Sequence, residues 1–262
     1  MGRFAVILPA AGRSSRFGDP DEKKIYTDIA GRAVWLRAID AFVNNDDVGQ
    51  IIIAIAEDDR EMFERRYRDS VAFLGLDVVV GGAERADTVA AALECVKDSC
   101  DFVAVHDAAR PCVTPALVAA VFEIARERGA AMPAVPVADT IKRASAEGVV
   151  VETVPRDGLF LAQTPQVFRR DWLVEAYEKR DRNGPGATDD ARLVEAIGRP
   201  IAIVPGSPFN LKITTRDDLK LARAVLAVLE QEKPLEEGLP FADERSKWDD
   251  LPKIRPSDLF GS

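Results

Sequence analysis

Short apolar runs alternate with amphipathic segments along most of the chain. Residues 5–9 (AVILP), 51–54, 78–80 and 102–105 carry consecutive apolar side chains, the pattern of strands buried on both faces. Between them, residues 34–42, 60–68 and 88–96 repeat apolar positions every three or four residues, as amphipathic helices do. The alternation predicts an α/β domain: a mostly parallel sheet with helices on both faces. Ligands of such sheets sit outside the carboxyl ends of the strands.

After Pro136 the pattern changes. Residues 137–144 and 149–155 are two extended runs joined by Ser145-Ala146-Glu147-Gly148, which predicts a β-hairpin. Its charges are mixed with β-branched residues, so we expect an arm that projects from the domain. The α/β pattern then resumes, with a helix over 188–197, a strand over 201–204 and a helix over 215–229. Leu219, Ala222, Leu226 and Leu229 share one face of the last. From residue 230 onward the periodicity stops. Residues 230–262 hold nine acidic and five basic residues and four prolines, the composition of a tail. The predicted organisation is one domain over residues 1–229, with the arm at 137–156, and an acidic C-terminal tail over 230–262.

Composition narrows the function classes. The chain has 262 residues, 47% of them hydrophobic, enough to bury a sizeable core. A net charge of -9 argues against a nucleic-acid surface, yet clustered cations can still bind phosphates. No apolar run approaches the ~20 residues of a membrane span, and no charged-then-apolar leader precedes the first strand. Cys95, Cys100 and Cys112 have no framework spacing, so we expect reduced thiols in a cytoplasmic protein. The single histidine, His106, excludes a His-rich metal site within one chain; we expect it to be a structural hydrogen-bonding residue.

The chemistry begins directly after the first strand, where residues 8–18 read LPAAGRSSRFG. Small residues let the backbone approach a ligand, and successive N–H groups can cradle phosphates. Arg13, Arg16, Lys23 and Lys24 add positive charge. The Gly-Lys-Ser/Thr ending of a P-loop and the GxGxxG of dinucleotide folds are both absent. The cations favour a nucleoside triphosphate.

Pro9-Ala10-Ala11-Gly12, with Arg16 and Lys24-Ile25-Tyr26, resembles the signature of sugar-phosphate nucleotidyltransferases. Six later blocks narrow the resemblance to the 2-C-methyl-D-erythritol 4-phosphate cytidylyltransferase family. They are Gly81-Gly82-Ala83-Glu84-Arg85-Ala86-Asp87-Thr88-Val89, Val105-His106-Asp107-Ala108-Ala109-Arg110-Pro111, Asp139-Thr140-Ile141-Lys142, Gln163-Thr164-Pro165-Gln166, Thr188-Asp189-Asp190-Ala191 and Asn210-Leu211-Lys212-Ile213-Thr214. They occur in the family's order and cover roughly residues 3–228.

The resemblance implies a Rossmann-like nucleotidyltransferase fold and a reaction in the non-mevalonate isoprenoid pathway. The acceptor's phosphate oxygen attacks the α-phosphorus of CTP in line, and pyrophosphate leaves. Arg16, Lys24, Arg156 and Lys212 match the catalytic cations. Pro9, Ala10, Ala11, Gly12, Gly82, Ala83, Thr88, Asp107 and Ala108 match nucleotide-binding positions. Asp107, Arg110, Thr140, Arg156, Thr164, Thr188 and Lys212 match acceptor-binding ones. By resemblance, the arm crosses into a second subunit, so that Arg156 completes the neighbour's site and the active form is a homodimer. Mg²⁺ is expected to be held mainly by the CTP phosphates, and no protein ligand is assigned to it. Neither nucleic acid nor membrane is expected as a partner.

The chain departs from the family pattern at several places. Lys23 and Ile25 replace the proline and glutamine of the usual Pro-Lys-Gln-Tyr run, leaving the loop less rigid, with a second lysine beside Lys24. Thr88 replaces serine, and Ala83 stands where an acidic residue is common. Asp189-Asp190 reads as an acidic helix start. Two other readings remain at this point: a cytidylyltransferase for ribitol 5-phosphate or another pentitol phosphate, and a catalytically weakened nucleotide-binding regulator.

Overall fold

The computed structural model describes residues 2–12, 17, 23–181 and 189–231. Arg16, Thr188 and the tail beyond residue 231 therefore lie outside the described residues. The chain divides into two units, Met1–Arg223 and Ala224–Ser262. The second is described only over residues 224–231.

In chain order, the first unit opens with β1 (Arg3–Pro9), a small hairpin of β2 (Asp28–Ile29) and β3 (Arg32–Ala33), and α1 (Val34–Val43). Next come β4 (Val48–Ile55), a 3-10 turn (Glu57–Asp59), α2 (Arg60–Leu74), β5 (Asp77–Val80), α3 (Arg85–Leu93) and β6 (Cys100–Val105). Then follow α4 (Pro115–Arg128), β7 (Ala130–Pro136), β8 (Ile141–Ala144), β9 (Val150–Val154), β10 (Phe160–Ala162) and β11 (Gln166–Arg169). α5 (Arg170–Glu178), α6 (Asp190–Ala196), β12 (Ala202–Pro205) and α7 (Arg216–Gln231) close the series.

One eight-stranded sheet organises the unit. β1 lies between β4 and β6 and is parallel to both, so that Ile7 is paired with Ile52 on one side and Val105 on the other. β5 adds parallel to β4, and β12 parallel to β7. β11 runs antiparallel between β6 and β7, and β10 continues along the same edge of β7. The sheet is mostly parallel, as the alternation predicted.

Period-two alternation along the strands divides the core between the two faces. Phe4, Val6, Leu8, Ile51, Ile53 and Ile55 face a layer that includes Trp35, Ile39, Phe42, Phe63, Val121 and Phe122 from α1, α2 and α4. Ala5, Ile7, Ile52 and Ala54 face Val89, Leu93, Leu173, Tyr177 and Val194 from α3, α5 and α6. Each fully buried large side chain contributes roughly 1.5–3 kcal/mol of transfer free energy.

Element ends differ from the sequence reading where turn chemistry outweighs periodicity. α2 continues past residue 68 to Leu74 and stops at Gly75, whose φ of 62° supplies a left-handed cap. α3 begins at Arg85 rather than residue 88. The arm pairs Ile141 with Val154, and Gly148 (φ 79°) closes its turn by donating to the Ser145 carbonyl. Two helices, α4 and α5, and the strands β7, β10 and β11 carry no expectation from the sequence.

Gly129 ends α4 with φ 87°. A Cβ there would lie 2.3 Å from Cη2 of Trp172, a ring that also meets the guanidinium groups of Arg169 and Arg199. Gly129→Ala should lower unfolding free energy by roughly 2 kcal/mol, through the strained φ and the displaced indole. Urea unfolding checks this: the midpoint should fall at unchanged m-value.

Candidate active site

Four parallel strands deliver their following loops to one cleft of about 460 Å³. β1 supplies Pro9, Ala10, Ala11 and Gly12; β4 supplies Ala56, Glu57 and Asp58. β5 supplies Gly81, Gly82, Ala83 and Glu84, and β6 supplies Asp107, Ala108 and Ala109. Lys23, Lys24, Arg85, Thr88, Lys212 and Thr214 complete the polar lining. Backbone bonds fix the strand exits: Ala10 donates to the Ala54 carbonyl at 2.8 Å, Gly81 to Ile55 at 2.7 Å and His106 to Ile7 at 2.9 Å.

Close packing explains the glycines after β5. A Cβ on Gly81 would meet Cγ2 of Thr88 at 2.7 Å and Cβ of Ala11 at 2.9 Å. One on Gly82 would meet Cβ of Asp87 at 2.3 Å. The β5 exit therefore lies directly against the first loop and α3. The Thr88 hydroxyl donates to the Glu84 carbonyl at 2.9 Å, leaving its lone pairs as acceptors.

Asp107 is the electrostatic centre. Its Oδ2 is 2.9 Å from Lys212 Nζ and 3.4 Å from Arg110 Nε, and its Oδ1 is 3.7 Å from Arg85 Nε. Burial alone would raise its pKa, but the three cations reverse the shift and hold the carboxyl well below the usual carboxylate range. Arg85 also binds the fully buried Asp190 at 2.6 Å, and Tyr177 donates to the same carboxylate. Burial opposes the charge on Arg85, and Asp190 and Asp107 more than restore it.

Beneath Asp107 runs a directional relay. The Asp107 N–H donates to the Thr164 hydroxyl at 3.1 Å, and that hydroxyl donates to His106 Nδ1 at 3.1 Å. His106 Nε2–H donates to the Arg110 carbonyl at 3.2 Å. Each group fills one role only if the imidazole is neutral with its proton on Nε2. Burial favours the same state and pushes the His106 pKa down to about 4. His106 is thus a structural hydrogen-bonding residue.

Lys212 sits on a loop held at both ends. Gln163 donates to the Ser207 carbonyl at 2.7 Å, Asn210 to the Thr164 carbonyl at 2.8 Å, and Arg110 to the Asn210 carbonyl at 2.7 Å. Beyond Lys212, Ile213 donates to Ala109, and Asp218 accepts from the N–H groups of Thr214 and Thr215.

The cleft gathers Pro9, Ala10, Ala11, Gly12, Lys24, Gly82, Ala83, Thr88, Asp107, Ala108 and Lys212 of the residues expected from sequence. Arg110 and Thr164 do not line it; they brace Asp107 and the Lys212 loop from behind. Thr140 and Arg156 lie exposed on the arm, where Arg156 donates to the Ala138 carbonyl. Asp189 caps α6 by accepting from Arg192, whereas Asp190 is drawn inward to Arg85. Arg85, which lines the cleft at the start of α3, was not singled out as a site residue from the sequence, and neither were Glu57, Asp58, Glu84 or Thr214.

Residues 4–228 match the family model described as 2-C-methyl-D-erythritol 4-phosphate cytidylyltransferase. A relative of that name from Rhodopirellula baltica is 43% identical over 237 residues, covering 85% of this chain and 94% of its own length. Another of that name, from Frankia casuarinae, is 44% identical over 86% of this chain and 82% of its own. The crystal structure of 2-C-methyl-D-erythritol 4-phosphate cytidylyltransferase from Thermus thermophilus superposes with a TM-score of 0.69 at 36% identity. The match covers 85% of this chain and 98% of the other.

The His106 geometry has a pH consequence. The unfolded chain binds a proton at this imidazole near pH 6.5, the folded chain only near 4. Stability from this group is complete above pH 6.5 and is lost as pH falls toward 4, by about 3 kcal/mol. His106→Gln, which titrates nowhere in that window, should show a correspondingly flatter curve in urea unfolding followed between pH 7 and 4.

Proposed function

The chain belongs to the 2-C-methyl-D-erythritol 4-phosphate cytidylyltransferase family, and from that premise we propose how its cleft carries the reaction. The enzyme transfers the cytidylyl group of CTP to 2-C-methyl-D-erythritol 4-phosphate, in isoprenoid biosynthesis. The products are 4-diphosphocytidyl-2-C-methyl-D-erythritol and pyrophosphate. The observation that carries the reading is a cleft lined by small-residue backbone and by the cations Lys24, Arg85 and Lys212, at the carboxyl ends of β1, β4, β5 and β6.

In our reading the cytosine lies against Ala10, Ala11, Gly12 and Gly82, where the close approach of Gly81 to Ala11 narrows the space toward a pyrimidine. The triphosphate runs toward Lys24; Arg16, outside the described residues, is kept as a second catalytic cation on the family resemblance alone. Lys212 binds the acceptor phosphate, and Asp107, ionised throughout the working range, accepts from the acceptor's hydroxyls. The nucleophile is a phosphate oxygen already ionised at neutral pH, so no general base is required. His106 is neutral, buried and bonded at both nitrogens, which suits a supporting role only. Negative charge grows on the α-phosphoryl oxygens and on the departing pyrophosphate, and preorganised cations stabilise it there.

Magnesium enters in this reading with its substrate, as the CTP complex. The Asp107 oxygens are already engaged by Lys212, Arg110 and Arg85, which leaves the phosphates as the better donors. The homodimer rests on the arm and the strand beside it. Val149, Val150 and Val151, with Leu159, Phe160 and Leu161, are large apolar side chains left exposed in the single chain. A patch of that kind marks an interface, and covering it by a second subunit would bring the arm's Arg156 and Thr140 toward the neighbouring cleft. A cytoplasmic location fits three cysteines without disulfide partners. Among the described residues, no helix is long and apolar enough to cross a membrane.

Pyrophosphate release should be fastest with CTP and 2-C-methyl-D-erythritol 4-phosphate, and slower with UTP or with ribitol 5-phosphate. A preference for ribitol 5-phosphate would overturn the acceptor. Lys24→Ala should lower kcat by roughly 10²–10³, the loss of one preorganised donor, without changing the mass in solution. Mixing Lys24→Ala with Arg156→Ala subunits tests the crossed arm. Random exchange should restore about one quarter of wild-type sites, since each mixed dimer regains one complete cleft. Proven exchange without recovery would refute it.

A further inference from the structure

Lys23 is unusual for the family, and its surroundings give it a task. Its Nζ lies 2.7 Å from Oδ2 of Asp59, and the hydroxyl of Tyr26 donates to the same oxygen at 3.0 Å. One carboxylate therefore grips the residue before Lys24 and the residue two after it. Tyr26 N–H also donates to the Lys23 carbonyl at 2.9 Å, closing a turn whose interior holds Lys24. Asp59 and Tyr26 are buried, so little water competes for either bond.

Asp59 does not act as a helix cap: it closes the 3-10 turn Glu57–Asp59 in αR geometry and leads directly into α2. Its carboxylate makes no bond to the first turn of α2 and turns to the Lys24 segment instead. The two walls joined in this way, residues 23–25 and 56–58, both line the cleft.

We propose that Asp59, through Lys23 and Tyr26, is a positioning residue for Lys24. The latch supplies the rigidity that the missing proline would give to this segment. It also occupies the Lys23 ammonium, so that Lys23 holds the loop rather than substituting for Lys24. The inference rests on the assignment of Lys24 to the triphosphate.

The test measures kcat, the CTP dissociation constant and the thermal midpoint in the full-length enzyme. Asp59→Asn and Lys23→Met should each lower kcat about ten- to a hundred-fold, the scale of an ångström-sized misplacement. CTP affinity should stay within about twofold. The double variant should lose no more than the worse single one, because the pair acts as a unit. Lys23→Arg should retain most of the rate. Either single variant at wild-type kcat, or losses that multiply in the double variant, overturns the latch. A fall in thermal midpoint with kcat intact also overturns it, by reducing Asp59 to a stabilising contact. Lys24→Ala separates the two levels. A fully active Lys24→Ala enzyme removes the underlying assignment, whereas an inactive one beside a normal Asp59→Asn removes only the latch.

Discussion

Positive side chains close to one another repel, and Asp107 draws together Arg85 and Lys212 from the cleft and Arg110 from behind it. Without that carboxylate, partly desolvated cations would have to separate or face solvent. Asp190 does the same for the other end of Arg85, and Asp59 for Lys23. A protein of net charge -9 thereby holds Lys23, Lys24, Arg85 and Lys212 in place beside the carboxylates Glu57, Asp58, Glu84 and Asp107 along one cleft lining. The cations are held in place ahead of any substrate, and in the proposed reaction an incoming phosphate takes over from a carboxylate of the same sign.

The buried polar groups serve that charge centre. The Thr164 hydroxyl and His106 imidazole fix the Asp107 backbone, and the Arg110 guanidinium ties Asp107 to the loop of Lys212. Gln163 and Asn210 hold that loop from its other side. In the sequence, blocks far apart look like separate motifs. In the fold they form one continuous network, so a change behind the cleft alters the position of groups inside it.

Much of the domain was legible because buried parallel strands announce themselves. The apolar residues from Ala5 to Leu8, the Ile51 run and the Val103 run mark β1, β4 and β6, and their order points to the strand ends as the site. The arm was readable from Gly148. Strand β11 was not, since Gln166-Val167-Phe168-Arg169 is too short for periodicity, and its antiparallel place between β6 and β7 depends on tertiary pairing. Around Asp107, the residues recognised by motif fell in two groups for a similar reason, with Thr140 and Arg156 apart on the arm. Lys24, Asp107 and Lys212 line the cleft, while Arg110 and Thr164 brace it; a motif preserves both kinds without distinguishing them. The inward turn of Asp190 and the pairing of Lys23 with Asp59 join residues from different elements, which no local pattern encodes.

The central place of β1 also bears on how the molecule is made. Its neighbours are β4 and β6, both later in the chain, so β1 has its second partner only when residue 105 has followed it from the ribosome. Until then Val6, Ile7 and Leu8 have an unsatisfied edge and no closed core around them. Synthesis is slow beside collapse, and a nascent segment in that condition is a natural client for chaperones. The strand that organises the finished sheet is the one that waits longest for company.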